Sequence, residues 1–207
     1  IIESANELPD TQVRHRYQRV FDVCTESYIG DGAAKHLLAI LMTVNGEEAD
    51  LKDDLYFNHL RKCLEWMFRK ANKLGMLHDK CIVDRKVNLT ASSRFMAGLG
   101  NMRLMIQNGT PHFPALIASH VSNILDVTNA CSHTEDEDKE TSQLQLAAYR
   151  NAVRSPYLLY NLTFQLMDVL LWFKGYADGH PASEENKTHW NDTTPTIELG
   201  KLVPDRV

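Results

Sequence analysis

Two polar residues in the second half of the chain have the types and spacing to take part in proton transfer. Asn129 and His133 lie four residues apart, which places both side chains on one face of a helix. A histidine can move a proton near neutral pH, and cleavage of a phosphodiester also needs a cation to stabilise the developing charge. Arg150 and Arg154 are the arginines that could fold back to supply it. We favour a structural role for Asn129 and His133, in which they hold a helix end by hydrogen bonds.

A second group of residues has the chemistry to bind an anion. These cationic residues recur at helical spacing and are Arg61, Lys62, Arg69, Lys70 and Lys73, followed by Lys80, Arg85 and Lys86. The formal net charge of the whole chain is −5, so contact with RNA or DNA requires a local patch of this kind. Lysines and arginines at such spacing also occur on helix faces that only contact water. The patch is therefore a candidate nucleic-acid-binding surface, with a solvated helix face as the alternative.

The four cysteines do not indicate a metal site or a disulfide. Cys24, Cys63, Cys81 and Cys131 lie mostly in apolar helical surroundings, which is typical of buried thiols. Zinc ligands could be drawn from Cys63, His78, Cys81, Cys131 and His133, but no pair has CxxC or HxxxH spacing. We therefore expect neither a metal nor a cofactor.

Composition and hydropathy favour a globular domain. The apolar fraction is 43% and the charged fraction is 24%, values that are typical of a chain with an ordinary core. No apolar run is long enough to cross a bilayer, and no apolar segment resembles a signal sequence. We expect a cytoplasmic protein that does not associate with a membrane.

Apolar residues at spacings of three and four predict a succession of α-helices. The predicted helices cover about residues 11–28, 33–44, 54–74, 114–128 and 156–174, with a helical turn in 88–100 and a further helix through Leu144 and Tyr149. Gly75 and Gly175 suit the positions that follow helix C-termini. Residues 1–175 are thus predicted to form an all-α bundle of about five to seven helices. Residues 176–207 are predicted to be an irregular tail, or the start of a linker or further domain.

The predicted helix from Tyr157 to Phe173 is apolar on almost every side. This pattern indicates a helix at the centre of the bundle or at an interface. Asp168 interrupts the pattern, and a buried carboxylate needs a partner, for which Arg150, Arg154 and His120 are the candidates. The same helix would be the docking face if the chain were a subunit of a multi-protein assembly.

The order of these features resembles the HEPN superfamily of helical domains. The resemblance covers about residues 54–174 and rests on Leu60-Arg61-Lys62-Cys63-Leu64-Glu65, on Asn88-Leu89, on the long apolar helix after Pro114, and on Asn129-x-x-x-His133. The chain is similar in particular to HEPN-like domains of unknown function beside bacterial restriction and defence modules. The resemblance implies a bundle of four or five helices, often dimeric. Its active members cleave RNA through an arginine placed five to seven residues before a histidine.

This sequence departs from the HEPN motif where cleavage would need it. No arginine lies five to seven residues before any of the nine histidines, and Asp126 takes one such position before His133. The acidic run 135–138 follows His133 and would repel a polyanion.

We therefore predict a non-catalytic, HEPN-like binding or dimerisation module in a bacterial defence or nucleic-acid-processing system. The partners that this implies are a second copy of the chain, a larger protein assembly, or RNA or DNA bound through the basic patch. A metal-independent endoribonuclease with a displaced arginine is one alternative, and a docking subunit is the other.

Overall fold

The computed structural model describes residues 8–46, 53–130, 148–149, 151–153 and 157–191. Over these ranges the fold is an all-α bundle, which confirms the predicted fold class. The helices are α1 (Pro9–Arg16), α2 (Gln18–Phe21), α3 (Asp31–Asn45), α4 (Asp53–Lys73), α5 (Leu89–Met96), α6 (Ala115–Ala130), α7 (Tyr157–Gly179) and α8 (Ser183–Lys187). Two small antiparallel sheets pair β1 (Ile82–Val83) with β2 (Lys86–Val87), and β3 (Gln107–Asn108) with β4 (Trp190–Asn191).

Helix α4 organises the core. It packs against α3, α6 and α7, because its apolar residues recur every three or four positions along one side. These residues are Tyr56, Leu60, Leu64, Met67, Phe68 and Ala71, and each has no exposed surface. The Tyr56 hydroxyl donates a hydrogen bond to the Leu159 carbonyl over 3.2 Å and also bonds to the Thr163 hydroxyl. This side of α4 is therefore buried in the core, and the opposite, polar side of the helix is available for other contacts.

The sequence predicts that helix α7 lies at the bundle centre or at an interface, and the structure buries one broad side of α7 and leaves a strip exposed. It packs against α4 and α6, and Leu162, Leu166 and Leu170 are fully buried. Its large side chains that remain exposed are Tyr157 and Phe164, at 69% and 50%. Most of the apolar surface of α7 is therefore buried against other helices of this chain. Little of it is left to serve as the docking face that the sequence suggested.

Helix α7 continues past Gly175, where the sequence predicts its end, and stops at Gly179. The Tyr28 hydroxyl donates to an Asp178 carboxylate oxygen over 2.7 Å and accepts from the Lys174 ammonium over 2.9 Å. A glycine within a helix costs only about 1 kcal/mol relative to alanine, so tertiary contacts of this kind outweigh it. The predicted boundary at residue 175 consequently falls inside a helix.

Residues 176–191 belong to the bundle and do not form an irregular tail. The Asn186 side-chain amide donates to the Leu74 carbonyl over 2.6 Å, and Trp190 Nε1 donates to the Gly75 carbonyl over 2.8 Å. Both carbonyls stand at the C-terminal end of α4, where they have no helical partner. Residues 192–207, which complete the predicted tail, lie outside the described part of the chain.

Two further predictions from the sequence are wrong. The single helix predicted over 11–28 is broken at Tyr17, and its last turn, Asp22–Cys24, is a 3₁₀ helix. Asp168 lies on the exposed face of α7, so it needs none of the ion-pair partners proposed for a buried carboxylate.

The predicted burial of the thiols is confirmed for Cys24, Cys63 and Cys81. Burial raises the pKa of the Cys24 thiol, and likewise that of Cys81, to about 12. Cys131 lies outside the described residues.

Candidate functional site

A half-open cleft of about 720 Å³ lies between the polar side of α4, the segment that leads into α3, and the β1–β2 hairpin. We call it the basic cleft, and its principal side chains are Lys62, Trp66, Arg69, Lys70, Lys73 and Arg85. Its volume is within the range of ligand-binding pockets. The chain therefore has a concave, solvent-accessible surface next to its most cationic helix.

Four of the five residues predicted as a binding patch line this cleft. Lys62, Arg69 and Lys73 are seven and four residues apart and so lie on one side of α4, and Lys70 lies next to that side, three residues before Lys73. Arg85 adds a fifth positive charge from the hairpin, against two carboxylates, Glu26 and Glu65. The cleft is thus locally positive in a protein whose net charge is −5.

Trp66 stands in the middle of the cationic face and was not singled out from the sequence. A β-carbon added at Gly32 would collide with Cζ2 of the indole, and one added at Gly30 would lie 3.5 Å from Cζ3. The benzene ring of Trp66 therefore packs directly against the backbone at Gly32, where there is no room for a β-carbon. Trp66 keeps 36% of its surface exposed in the cleft. Its place four residues after Lys62 and three before Arg69 was the signal available in the sequence.

The tip of the β1–β2 hairpin brings Arg85 to the cleft. Val83 pairs with Lys86, so Asp84 and Arg85 form a two-residue turn, with φ values of 49° and 63°. Such turns favour glycine or asparagine, because other side chains are strained at positive φ. The Arg69 guanidinium donates to the Arg85 carbonyl and holds the tip against α4. The turn therefore carries the side chain of Arg85 at the edge of the cleft, although glycine would be less strained there.

Two local interactions adjust the charge of the cleft. The Lys62 ammonium and the Glu65 carboxylate form an ion pair over 2.9 Å, with 41% and 22% of the two side chains exposed. His36 lines the cleft, and its Nδ1 lies 2.8 Å from Nδ1 of His59 on α4. Burial, together with the neighbouring His59, lowers the pKa of His36. The positive charge at neutral pH therefore comes from lysine and arginine.

Arg61, the fifth residue of the predicted patch, lies away from the cleft. Its guanidinium donates to the side-chain oxygen of Asn129 and, over 3.5 Å, to the hydroxyl of Thr128 near the end of α6. Burial lowers the pKa of Arg61. The structure thus joins a residue predicted for anion binding to Asn129, which was predicted as a catalytic candidate. His133, Arg150 and Arg154 lie outside the described residues.

Two findings concern metal ions and membranes. Within the described ranges, no group of three or more His, Cys, Asp or Glu side chains is arranged to hold a metal ion. In the same part of the chain, no helix has the length and apolarity needed to cross a membrane.

Comparisons with protein-family models, with curated proteins and with solved structures gave no match to this chain.

Proposed function

We propose that this chain is a non-catalytic binding module whose basic cleft holds the phosphates of a nucleic acid. The observation that carries the proposal is the convergence of Lys62, Arg69, Lys70, Lys73 and Arg85 on one concave surface. Phosphate oxygens are bound mainly by lysine and arginine, and this contact supplies most of the affinity of non-specific nucleic-acid binding.

A solvated helix face explains this arrangement less well. Such a face needs only α4, yet Arg85 comes from a separate hairpin that Arg69 fastens to the helix. Charges from two elements that converge on one cavity are typical of a binding site.

The first test of this function is reversal of charge in the cleft. We expect Lys70→Glu combined with Lys73→Glu to weaken binding of a single-stranded oligonucleotide by at least about tenfold, measured by fluorescence anisotropy. The dependence of log K on log salt should flatten by about 0.7 for each phosphate that is no longer neutralised. Arg19→Glu combined with Arg103→Glu is the control, because it makes the same total change of charge at two exposed sites outside the cleft. Equally weakened binding in both proteins would show that only net charge matters and would contradict the proposal.

Arg85→Gly provides a variant in which loss of binding cannot be mistaken for loss of folding. Glycine at this turn relieves the strain of a positive φ, so thermal stability should stay unchanged or rise by up to about 1 kcal/mol. The same change removes one cation from the cleft, so oligonucleotide affinity should fall. Wild-type affinity in this variant would exclude Arg85 from the binding surface.

A metal-independent endoribonuclease is the second candidate, and the contact of Arg61 with Asn129 favours it. That contact places an arginine from α4 beside the helix end that precedes His133 in sequence. Arg61 is partly buried, and its guanidinium is already engaged by Asn129 and Thr128. These bonds suit a structural role better than a phosphate clamp.

We therefore expect no RNA cleavage by the purified protein. The assay uses mixed single-stranded and transfer RNAs at low salt, with EDTA present to silence metal-dependent contaminants. Cleavage that disappears in both His133→Ala and Arg61→Lys would instead establish the nuclease, with Arg61 as the displaced arginine. The HEPN relationship, a bacterial defence role and a homodimer stay predictions from the sequence.

A further inference from the structure

We propose that the basic cleft binds an unpaired strand and stacks one of its bases on Trp66. This inference rests on the proposed function and adds the class of nucleic acid that is bound. Trp66 is the aromatic residue at the centre of the cationic face of α4, and it keeps 36% of its surface exposed.

The indole is held in place before any ligand arrives. Its benzene ring packs against the backbone of Gly30 and Gly32, so that even a methyl group at residue 32 would collide with it. A side chain fixed in this way loses little conformational entropy when a base stacks on it. Aromatic side chains that present a face inside a positive groove are the usual means of holding unpaired bases.

The cations lie on both sides of Trp66 along the helix. At about 1.5 Å of rise per residue, Lys62 precedes Trp66 by about 6 Å and Lys73 follows it by about 10 Å. The span from Lys62 to Lys73 is thus about 16 Å, which is long enough for several nucleotides of a single strand. A strand that runs along α4 can therefore place a base on Trp66 and phosphates on Lys62 at one end and on Lys70 and Lys73 at the other.

A duplex does not meet these requirements. Its bases are already stacked on each other, and extruding one into a protein site costs a few kcal/mol. Its phosphates could still contact the rim of the cleft, so weak and salt-sensitive duplex binding is expected. The stacking contact therefore discriminates single strands from duplexes and tolerates any base, because every base has an aromatic face.

The experiment compares four labelled or competing ligands on the full chain: a single strand of about 12 nucleotides, its duplex, the same strand made abasic, and adenosine monophosphate. We expect the single strand to bind roughly tenfold more tightly than the duplex or the abasic strand, and the mononucleotide to bind least. Equal binding of base-bearing and abasic strands would overturn the inference. If the mononucleotide binds as tightly as the single strand, the ligand of the cleft is not a strand, and the inference is wrong.

Variants at the stacking site separate this contact from the phosphate contacts. Trp66→Ala should weaken single-strand binding roughly tenfold while leaving the salt dependence unchanged, since no charge is removed. Trp66→Phe should keep most of the affinity but lose the quenching of indole fluorescence that the strand produces in the wild type. Gly32→Ala, which displaces the indole and leaves it in the sequence, should behave like Trp66→Ala. Thermal unfolding of each variant confirms that it is folded.

The two proposals can fail separately. If Trp66→Ala binds like the wild type while the reversal of Lys70 and Lys73 still weakens binding, the cleft holds phosphates without stacking. In that case only the stacking inference is wrong. If the charge reversal has no effect either, the binding function itself is wrong, and the stacking inference falls with it.

Discussion

Leu170→Asp is expected to destabilise the protein by more than about 5 kcal/mol, with Leu166→Asp close behind. Both leucines have no exposed surface and lie on the side of α7 that packs against the core helices α4 and α6. Truncating such a leucine to alanine already costs about 2 to 5 kcal/mol, and the aspartate adds the cost of a charge in an apolar site. Because domains of this size are stable by only about 5 to 15 kcal/mol, either variant should lose a large part of its stability or unfold at room temperature.

Phe164→Asp is the matched control for this prediction. Phe164 lies on the same helix, only two residues from Leu166, but half of its surface is exposed (50%). We expect a loss below about 1 kcal/mol, read from the midpoint of urea denaturation followed by circular dichroism. Near-wild-type midpoints for Leu166→Asp and Leu170→Asp would place this side of α7 on the surface and contradict the fold.

The helices that carry the core were predictable, because each shows its buried side as a repeat in the sequence. Helix α4 is the clearest case, since the spacing of Leu60, Leu64, Met67 and Phe68 fixes which side faces inward. The same spacing implies that Lys62, Arg69 and Lys73 face outward together. The sequence could therefore place these three cations of the cleft on one surface, but it could not show that the surface is concave.

The remaining features depend on contacts between distant parts of the chain. Successive helix positions differ in direction by about 100°, so Arg61 and Lys62 point different ways and Arg61 turns to Asn129 on α6. The continuation of α7 past Gly175 depends on Tyr28, which is far away in sequence. The support of Trp66 by Gly32 likewise needs α3 to be packed against α4. No local pattern contains this information.

Acidification is expected to destabilise the protein, and His112 is the main reason. His112 is 4% exposed, with Nδ1 2.8 Å from the Tyr176 hydroxyl. Burial, and then the neighbouring His189 and His180, lowers the pKa of His112 to about 4 from its ordinary value of 6.5. The unfolded chain therefore binds this proton more readily than the folded one. Stability should be complete above about pH 6.5, decline as the pH falls towards 4, and level off below that, with a total loss of about 3 kcal/mol.

The contribution of His112 can be isolated by comparing the change in unfolding free energy between about pH 8 and pH 4.5 in three proteins. His112→Gln loses the hydrogen bond to Tyr176 and should be less stable than the wild type at pH 8. Most of the acid-induced loss of stability should disappear in this variant, because glutamine binds no proton at residue 112. A smaller loss should persist, since burial also lowers the pKa values of His36 and His59. His15→Gln, at an exposed position on α1, should keep the wild-type loss. An unchanged acid-induced loss in His112→Gln would show that His112 is accessible to protons in the folded state, and the packing of residues 176–191 around it would then be wrong.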